Sequence, residues 1–399
     1  METTLRTRMA GIPRELKLFL TASFVMGMAY SVVDATLNNF LNDRFVLGGF
    51  ERSFLELPRE LPGFLVVFVS ALLWFLSSRR LGVFALLLGA LGALLVGFIS
   101  TTYAVVVVCL FVYSMGQHIF IPLSSTIGME LAQEGKTGRR LGQLNALRNL
   151  AAIVGSFVVF LGFKFLGFSF QVTFALAAIG LAVAAALMFS MKSEKSSQPK
   201  IFLKLHREYW LYYLMSVLFG SRKQLFITFA PWVIVNVFNK DIQTMATLVT
   251  IGGVIGIIFQ PFLGRAIDRF GERMVLACEA VMLVLVCFGY GFSKFLFPQD
   301  TAFLMICGFY LLDQMLFSVN MARATYMKKI AMRPEDVQPA LTASVTLDHL
   351  FSIIVALIGG AIWNAFGFQY VFLMGVVIAA ANFLAALKVR IPKPALKNG

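Results

Sequence analysis

The chain has few charged residues for its length. Only 14% of its 399 residues are Asp, Glu, Lys or Arg, whereas 59% are hydrophobic, and its mean hydropathy is +0.82. Soluble domains carry about 25% charged residues, so this composition excludes an ordinary soluble protein. Apolar stretches long enough to cross a bilayer follow one another along the sequence. The pattern predicts an all-α polytopic membrane protein.

Cysteine and histidine are also scarce. The four cysteines lie in apolar stretches without CxxC or metal-ligand spacing, which is typical of small hydrophobic residues. The three histidines are scattered, and neither HExxH nor GxSxG occurs. The string EGKTG at 134–138 lacks the first glycine and the preceding strand of a phosphate-binding loop. We therefore expect no metal, no cofactor and no enzymatic activity, and any transport must use a gradient.

Twelve apolar segments are predicted to form transmembrane helices, numbered here from helix 1 to helix 12. They lie at 17–41, 57–78, 81–100, 102–129, 141–163, 168–190, 209–238, 242–266, 274–293, 301–327, 338–365 and 369–387. A polar stretch separates the first six from the last six. It predicts an N-terminal six-helix bundle at 1–190, a cytoplasmic linker at 191–206 and a C-terminal six-helix bundle at 207–399.

Lysine and arginine are unevenly distributed between the two ends of these helices. Most of the 34 fall on the side that holds both termini and the linker. Because basic residues accumulate in cytoplasmic loops, we expect cytoplasmic termini and a location in the plasma (inner) membrane. The net charge of +14 is explained by topology, so a nucleic-acid partner is not expected.

The two halves of the chain are similar to each other. LGQLNALRNL at 141–150 aligns with LTASVTLDHL at 341–350, and Gln117 in helix 4 aligns with Gln314 in helix 10 at nearly the same offset. Parallel six-helix repeats are an architecture of transporters.

The turn between helices 8 and 9 reads GRAIDRFGER. It resembles the signature loop of the major facilitator superfamily, Gly-x-x-x-Asp-Arg/Lys-x-Gly-x-Arg/Lys, whose positions are filled by Gly264, Asp268, Arg269, Gly271 and Arg273. With the twelve helices and the internal repeat, the resemblance covers essentially the whole chain. It implies two pseudo-symmetric six-helix bundles around a cavity lined by helices 1, 4, 7 and 10, with alternating access. It also implies that Asp268 faces the start of helix 5, at 138–142, as a conformational lock.

The corresponding loop of the first half, FLSSRRLG at 75–82, departs from this pattern because Arg79 stands in place of the acid. Two interpretations remain open. Its arginines could face Glu335 and Asp336 with the charges reversed, or the loop could be a decayed copy with ordinary cytoplasmic arginines.

Two adjacent cations lie in the middle of helix 7. The segment 219–232 places Arg222, Lys223 and Gln224 near the bilayer midplane, where each charge costs at least ~2.5 kcal/mol. Such charges face protein or a water-filled cavity, so a functional role is favoured over a structural ion pair. Neighbouring side chains diverge by about 100° on a helix. We therefore expect one cation to face the cavity and the other to pair with an acid, for which Asp313 is the best placed.

Further polar residues lie at related depths on the other helices. The predicted substrate-binding residues are Arg222, Lys223, Gln224, Asp34, Asn38, Gln117, Asp313 and Gln314. The residues predicted to serve proton coupling or gating are Asp348, His349, Arg148 and His118, and Asp34 and Asp313 are also coupling candidates. Arg59 and Glu60 are expected only to snorkel at the outer surface, and Glu279 and Asn382, on peripheral helices, are left out. Each residue could instead be a satisfied structural group.

Two midplane cations with few fixed acids beside them favour an anionic substrate such as an organic carboxylate. The sequence therefore predicts a monomeric secondary transporter that moves a small organic anion across the lipid bilayer, coupled to protons or another ion. The alternative is proton-driven efflux of amphipathic compounds, for which the 41 phenylalanines would supply an adaptable lining. A third class, a non-transporting membrane receptor, would be distinguished by the absence of flux in proteoliposomes.

Overall fold

The structure is a computed structural model that describes residues 13–45, 55–192, 205–240 and 242–391. Within these ranges the regular structure is helical. The first half contains α1 (Arg14–Arg44), α2 (Glu56–Leu72), α3 (Ser78–Phe98), α4 (Tyr103–Glu130), α5 (Thr137–Phe165) and α6 (Phe170–Phe189). The second half contains α7 (Trp210–Trp232), α8 (Ile242–Phe270), α9 (Glu272–Leu296), α10 (Gln299–Ile330), α11 (Val337–Phe366) and α12 (Phe368–Leu387).

Ten helices of the described part are long and apolar enough to cross a membrane. The two long helices outside this group are α2 and α7. Helix α2 has only 17 residues and carries Arg59 and Glu60 in its first turns. Helix α7 carries Arg222, Lys223 and Gln224 in its middle, which lowers its hydropathy. The predicted all-α, multi-pass fold is confirmed, and both exceptions are helices that bring polar groups into an apolar environment.

Contacts divide the chain into two compact units. One consists of Met1–Gln133 with Leu147–Phe202, and the other of Glu134–Ala146 with Leu203–Gly399. The first turns of α5 therefore pack with the C-terminal unit, and the rest of α5 packs with the N-terminal unit. The predicted linker lies mostly outside the described residues.

In the N-terminal unit, glycines allow α3 to pack closely against α4. A Cβ atom on Gly92 would overlap the backbone of Tyr113, and one on Gly116 would overlap the carbonyl oxygen of Ala85. Small residues at such contacts let helix backbones approach each other. The close packing holds the middle of α4, which carries Gln117 and His118, in a defined position.

In the C-terminal unit, α10 is interrupted after Phe317. Its two pieces are Gln299–Phe317 and Asn320–Ile330. Between them the amides of Ser318 and Val319 bond to carbonyl groups only three residues back, as in a tighter helical turn. The interruption separates the piece that carries Asp313 from the piece that carries Arg323.

Candidate functional site

Both midplane cations of α7 are paired with acids. Arg222 Nη2 lies 2.9 Å from Oδ1 of Asp313 on α10. Lys223 Nζ lies 2.8 Å and 2.9 Å from the two carboxylate oxygens of Asp348 on α11. The sequence analysis expected an acid for one cation and a cavity for the other. The expectation that one cation faces a cavity was wrong. Neighbouring side chains diverge on a helix, so the two cations reach two different helices, and each of these helices carries an acid at that point.

The surroundings of these pairs are closely packed. The Arg222 side chain is 2% exposed, and its guanidinium lies 5.2 Å from the ring centre of Phe317. The Ser352 hydroxyl lies 3.4 Å from Oδ1 of Asp348, and a Cβ atom on Gly220 would overlap that carboxylate. Each cation is therefore held in a neutral pair, and removing one partner would leave an uncompensated charge in the interior.

A third buried cation, Arg323 on the second piece of α10, was not assigned a partner by the sequence analysis. Its guanidinium donates to both carboxylate oxygens of Glu279 on α9, at 2.8 Å and 3.3 Å, and to Oδ1 of Asn382 on α12 at 3.4 Å. Glu279 and Asn382 had been left out as peripheral, and the structure brings them into one buried cluster. The signal was available, since an acid inside an apolar helix requires a partner.

The other residues predicted in the C-terminal half contact, or are buried among, helices of that half. Gln224 Nε2 donates to Oγ1 of Thr228 on its own helix at 2.8 Å. Gln314 packs against α8, where a Cβ atom on Gly252 would overlap its side-chain amide. His349 is buried beside Asp348 on α11.

A cavity of 310 Å³ lies among α1, α4 and α5 of the N-terminal unit. Ligand pockets of small molecules begin at about this size. Its polar lining consists of Tyr30, Ser31, Asp34, Gln117, Arg148 and Asn149. Its apolar lining includes Met26, Phe120, Ile121 and Ala152. The structure thus brings Arg148, predicted for coupling or gating, beside Asp34 and Gln117, which were predicted to bind the substrate.

A second cavity, of 190 Å³, shares Asp34, Gln117 and Ile121 with the first. It extends to the first turns of α2, and its other polar lining residues are Arg59, Glu60, Tyr113, Ser114 and His118. Arg59 and Glu60 therefore line a cavity rather than only snorkelling. This placement depends on how α2 packs against α4, which the sequence does not reveal.

His118 in this second cavity has a defined tautomer. Its Nδ1 lies 2.9 Å from the carbonyl oxygen of Ser114, which can only accept a hydrogen bond. The Ser114 hydroxyl in turn donates to the carbonyl oxygen of Arg59 at 2.6 Å. The proton of the neutral ring is therefore on Nδ1.

Asp34 and Arg148 differ from the paired charges of the C-terminal half. The Asp34 side chain is exposed where the two cavities meet. Arg148 lines the larger cavity and donates to the hydroxyl of Ser124 on α4. No acidic residue in the described part of the chain pairs with Arg148. The side chain of Asn38, also predicted for this site, lies outside the described residues.

The signature loop contacts the first turn of α5. Asp268 accepts hydrogen bonds of 2.7 Å from the backbone amides of both Gly138 and Arg139. These amides have no partner within the helix, and they form its positive end.

The glycines of the loop allow this approach. A Cβ atom on Gly264 would overlap the backbone of Gly138, so the close contact requires glycine. Gly271 ends the loop at a φ of +82°, which glycine adopts without strain. The cations at the two basic positions of the signature, Arg269 and Arg273, are exposed.

Arg79 of the corresponding N-terminal loop lies 3.9 Å from carboxylate oxygens of both Glu15 and Glu130 in its own half. Asp336, its proposed counterpart, accepts a 2.7 Å hydrogen bond from the hydroxyl of Tyr209 in the C-terminal half. Each group therefore has a partner within its own half.

The described part of the chain thus has twelve long helices in two compact units, with polar cavities inside the first unit. Residues 212–399 match the sequence profile of the Major Facilitator Superfamily. The match covers somewhat less than half of the chain, and together with the fold and the signature loop it bears out the predicted resemblance to that superfamily. The chain is therefore a multi-pass membrane protein of a family of transporters.

Solved structures share the fold along nearly the whole chain. The transporter FucP in the outward conformation has a TM-score of 0.72 and 16% identity, covering 94% of this chain and 98% of its own. A second structure, of the E. coli fucose:proton symporter FucP, has a TM-score of 0.69 at 16% identity, with the same coverage. The human organic anion transporter MFSD10 (TETRAN) has a TM-score of 0.69 and 12% identity, covering 94% of this chain and 99% of its own. No curated protein sequence matches the chain.

Proposed function

We propose that this protein is a proton-coupled secondary transporter of small organic anions, and that the 310 Å³ cavity among α1, α4 and α5 is its substrate site. The observation that carries the proposal is the state of Arg148, a cation that lines this cavity without an acidic partner among the described residues. A guanidinium group binds a carboxylate through two parallel hydrogen bonds, which fixes both the position and the orientation of an organic acid.

This proposal keeps the anionic substrate but moves its site. From the sequence, the anion was expected to bind at Arg222 and Lys223, beside which few acids were expected. Asp313 and Asp348 already occupy those cations at 2.9 Å and 2.8 Å. A carboxylate of the protein already compensates each of these charges, so Arg148 is the better candidate.

Asp34 is the proposed site of the coupling proton. It lines the same cavity as Arg148 and extends into the second cavity as well. Protonation removes its negative charge and therefore its repulsion of a bound anion, which links the two binding events. A fucose:proton symporter and an organic anion transporter have this fold, and at 16% and 12% identity their similarity supports the fold alone. We also propose cytoplasmic termini, a monomer and the plasma (inner) membrane as its location.

A thermal-shift screen of the purified protein against acids, sugars, nucleosides and amphipathic cations tests this proposal. We expect small carboxylic acids to raise the melting temperature, and Arg148→Gln to abolish the shift. Arg148→Lys is the matched control, because it keeps the charge but loses the paired hydrogen bonds, and should retain part of the shift. Stabilisation by amphipathic cations that is insensitive to Arg148→Gln would overturn the proposal and favour the efflux alternative. Acids that bind but show no flux into proteoliposomes would indicate a receptor.

A further inference from the structure

We infer that the substrate is a monocarboxylate, carrying one negative charge, and that it crosses the membrane with one proton in an electroneutral step. This inference rests on the proposed function and adds the charge of the substrate and the stoichiometry. It follows from the charges that line the two joined cavities of the N-terminal unit.

The charges around the two cavities cancel. The larger cavity contains Arg148 and Asp34, and the smaller contains Arg59, Glu60 and the same Asp34. With Asp34 counted once, two cations therefore face two acids. Arg59 has two acids in its own cavity, so Arg148 is the cation that remains for a ligand.

The state of Asp34 decides whether an anion can enter. The titratable and charged groups that line the cavities beside it are Tyr30 from α1, Arg59 and Glu60 from α2, Tyr113 and His118 from α4, and Arg148 from α5. With Asp34 ionised and His118 neutral, the set has no net charge, and a bound anion would leave one negative charge uncompensated. With Asp34 protonated, the set has one positive charge, which a single carboxylate neutralises. Because net charge is unfavourable in a low-dielectric interior, one proton and one monoanion are expected to enter together.

A second carboxylate on the same substrate has no place in this arrangement. Beyond Arg148, the larger cavity has the amides of Gln117 and Asn149 and an apolar wall formed by Met26 and Phe120. The second cavity, which Gln117 and Asp34 also line, contains Glu60, whose negative charge repels a second carboxylate. The lining therefore suits one carboxylate attached to a short chain that is partly apolar and partly able to form hydrogen bonds.

Matched acids test the charge of the substrate. The pairs are butyrate with succinate, benzoate with phthalate, and lactate with malate, whose members differ mainly by a second carboxylate. Their dissociation constants are measured by calorimetry on the purified full-length protein at one pH. We expect each dicarboxylate to bind at least about tenfold more weakly than its partner, because its second carboxylate would leave one negative charge uncompensated. Equal affinity for both members of the pairs would overturn the inference.

The stoichiometry is tested on the unmodified protein, so the test does not depend on the folding of a variant. Uptake of radiolabelled lactate into proteoliposomes is driven by an inward proton gradient, while potassium and valinomycin set the membrane potential. We expect the initial rate to be the same at either sign of the potential, with protein-free liposomes giving the background. A rate that follows the potential would overturn the electroneutral step. Failure of every acid in the panel to bind would instead remove the proposed function itself, so the two failures are distinguishable.

Discussion

Arg222 and Asp313 form an ion pair inside the C-terminal unit, with 2.9 Å between Nη2 and Oδ1 and side chains only 2% and 6% exposed. Lys223 and Asp348 form a second pair one residue further along α7. Charges deep in this half are therefore compensated by the protein itself. In the N-terminal half, by contrast, Arg148 lines a cavity without an acidic partner in the described part of the chain. The two halves therefore use the charges inside their helices differently.

Substitution of Arg222 should lower stability because of the acid that it leaves behind. Arg222→Gln places the uncompensated carboxylate of Asp313 in the interior, which is expected to destabilise the protein by about 3–5 kcal/mol. Adding Asp313→Asn removes that charge and should restore part of the loss. Thermal unfolding of the two single variants and the double variant in detergent measures this coupling. Additive effects of the two substitutions would show that the pair is not coupled in solution.

The depth of groups along single helices could be predicted from the sequence. Counting residues from the predicted membrane surface put Asp313 level with Arg222, and the structure places them in contact. The rotation of one helix against another could not be predicted in this way. Asp348 was predicted to serve coupling or gating rather than to pair with Lys223, and only the packing of α11 against α7 turns it towards Lys223.

The same limit explains the residues that were misplaced at the cavities. Arg59 and Glu60 lie near the beginning of an apolar run, where long polar side chains usually reach the surface. They line a cavity because Ser114 holds α4 against the first turns of α2 through the Arg59 carbonyl oxygen. This contact joins residues that are far apart in sequence. The sequence alone does not show that α2 and α4 pack against each other at this point.

The signature loop should act through Asp268. Asp268→Asn replaces a charged acceptor of two backbone amides with a neutral one, and hydrogen bonds to charged groups contribute about 1.5–3 kcal/mol. We expect a changed rate of lactate uptake with nearly normal expression. The matched control is Arg269→Gln, because Arg269 is in the same loop but exposed. If both variants transport like the parent protein, the contact with α5 does not limit the transport cycle.

The orientation of the chain predicts which surface residues an impermeant thiol reagent can reach. Single cysteines at Lys164 and Lys294 should react from outside intact cells, whereas those at Arg269 and Arg333 should react only after permeabilisation. All four positions are exposed in the structure. The background protein should carry Cys278→Ser, because Cys278 is exposed and would itself react. The opposite labelling pattern would reverse the assigned topology.

The buried pair between Arg323 and Glu279 should be structural. Their side chains are 2% and 0% exposed, with 2.8 Å between Nη2 and Oε2, and they join α9 to the second piece of α10. Glu279→Gln leaves the Arg323 charge buried without its acid, and a loss of about 3–5 kcal/mol is expected in thermal unfolding.

Replacing both partners distinguishes a structural pair from a functional one. In Glu279→Leu with Arg323→Met, no charge remains to be compensated, and apolar side chains of similar size can fill the space. Stability should therefore return to nearly the parent value or exceed it, as it does when buried ion pairs are replaced by well-packed apolar groups. We also expect lactate uptake to be retained, because the cavity that contains Arg148 and Asp34 is in the other unit. A stable double variant without uptake would show instead that this pair takes part in the transport cycle.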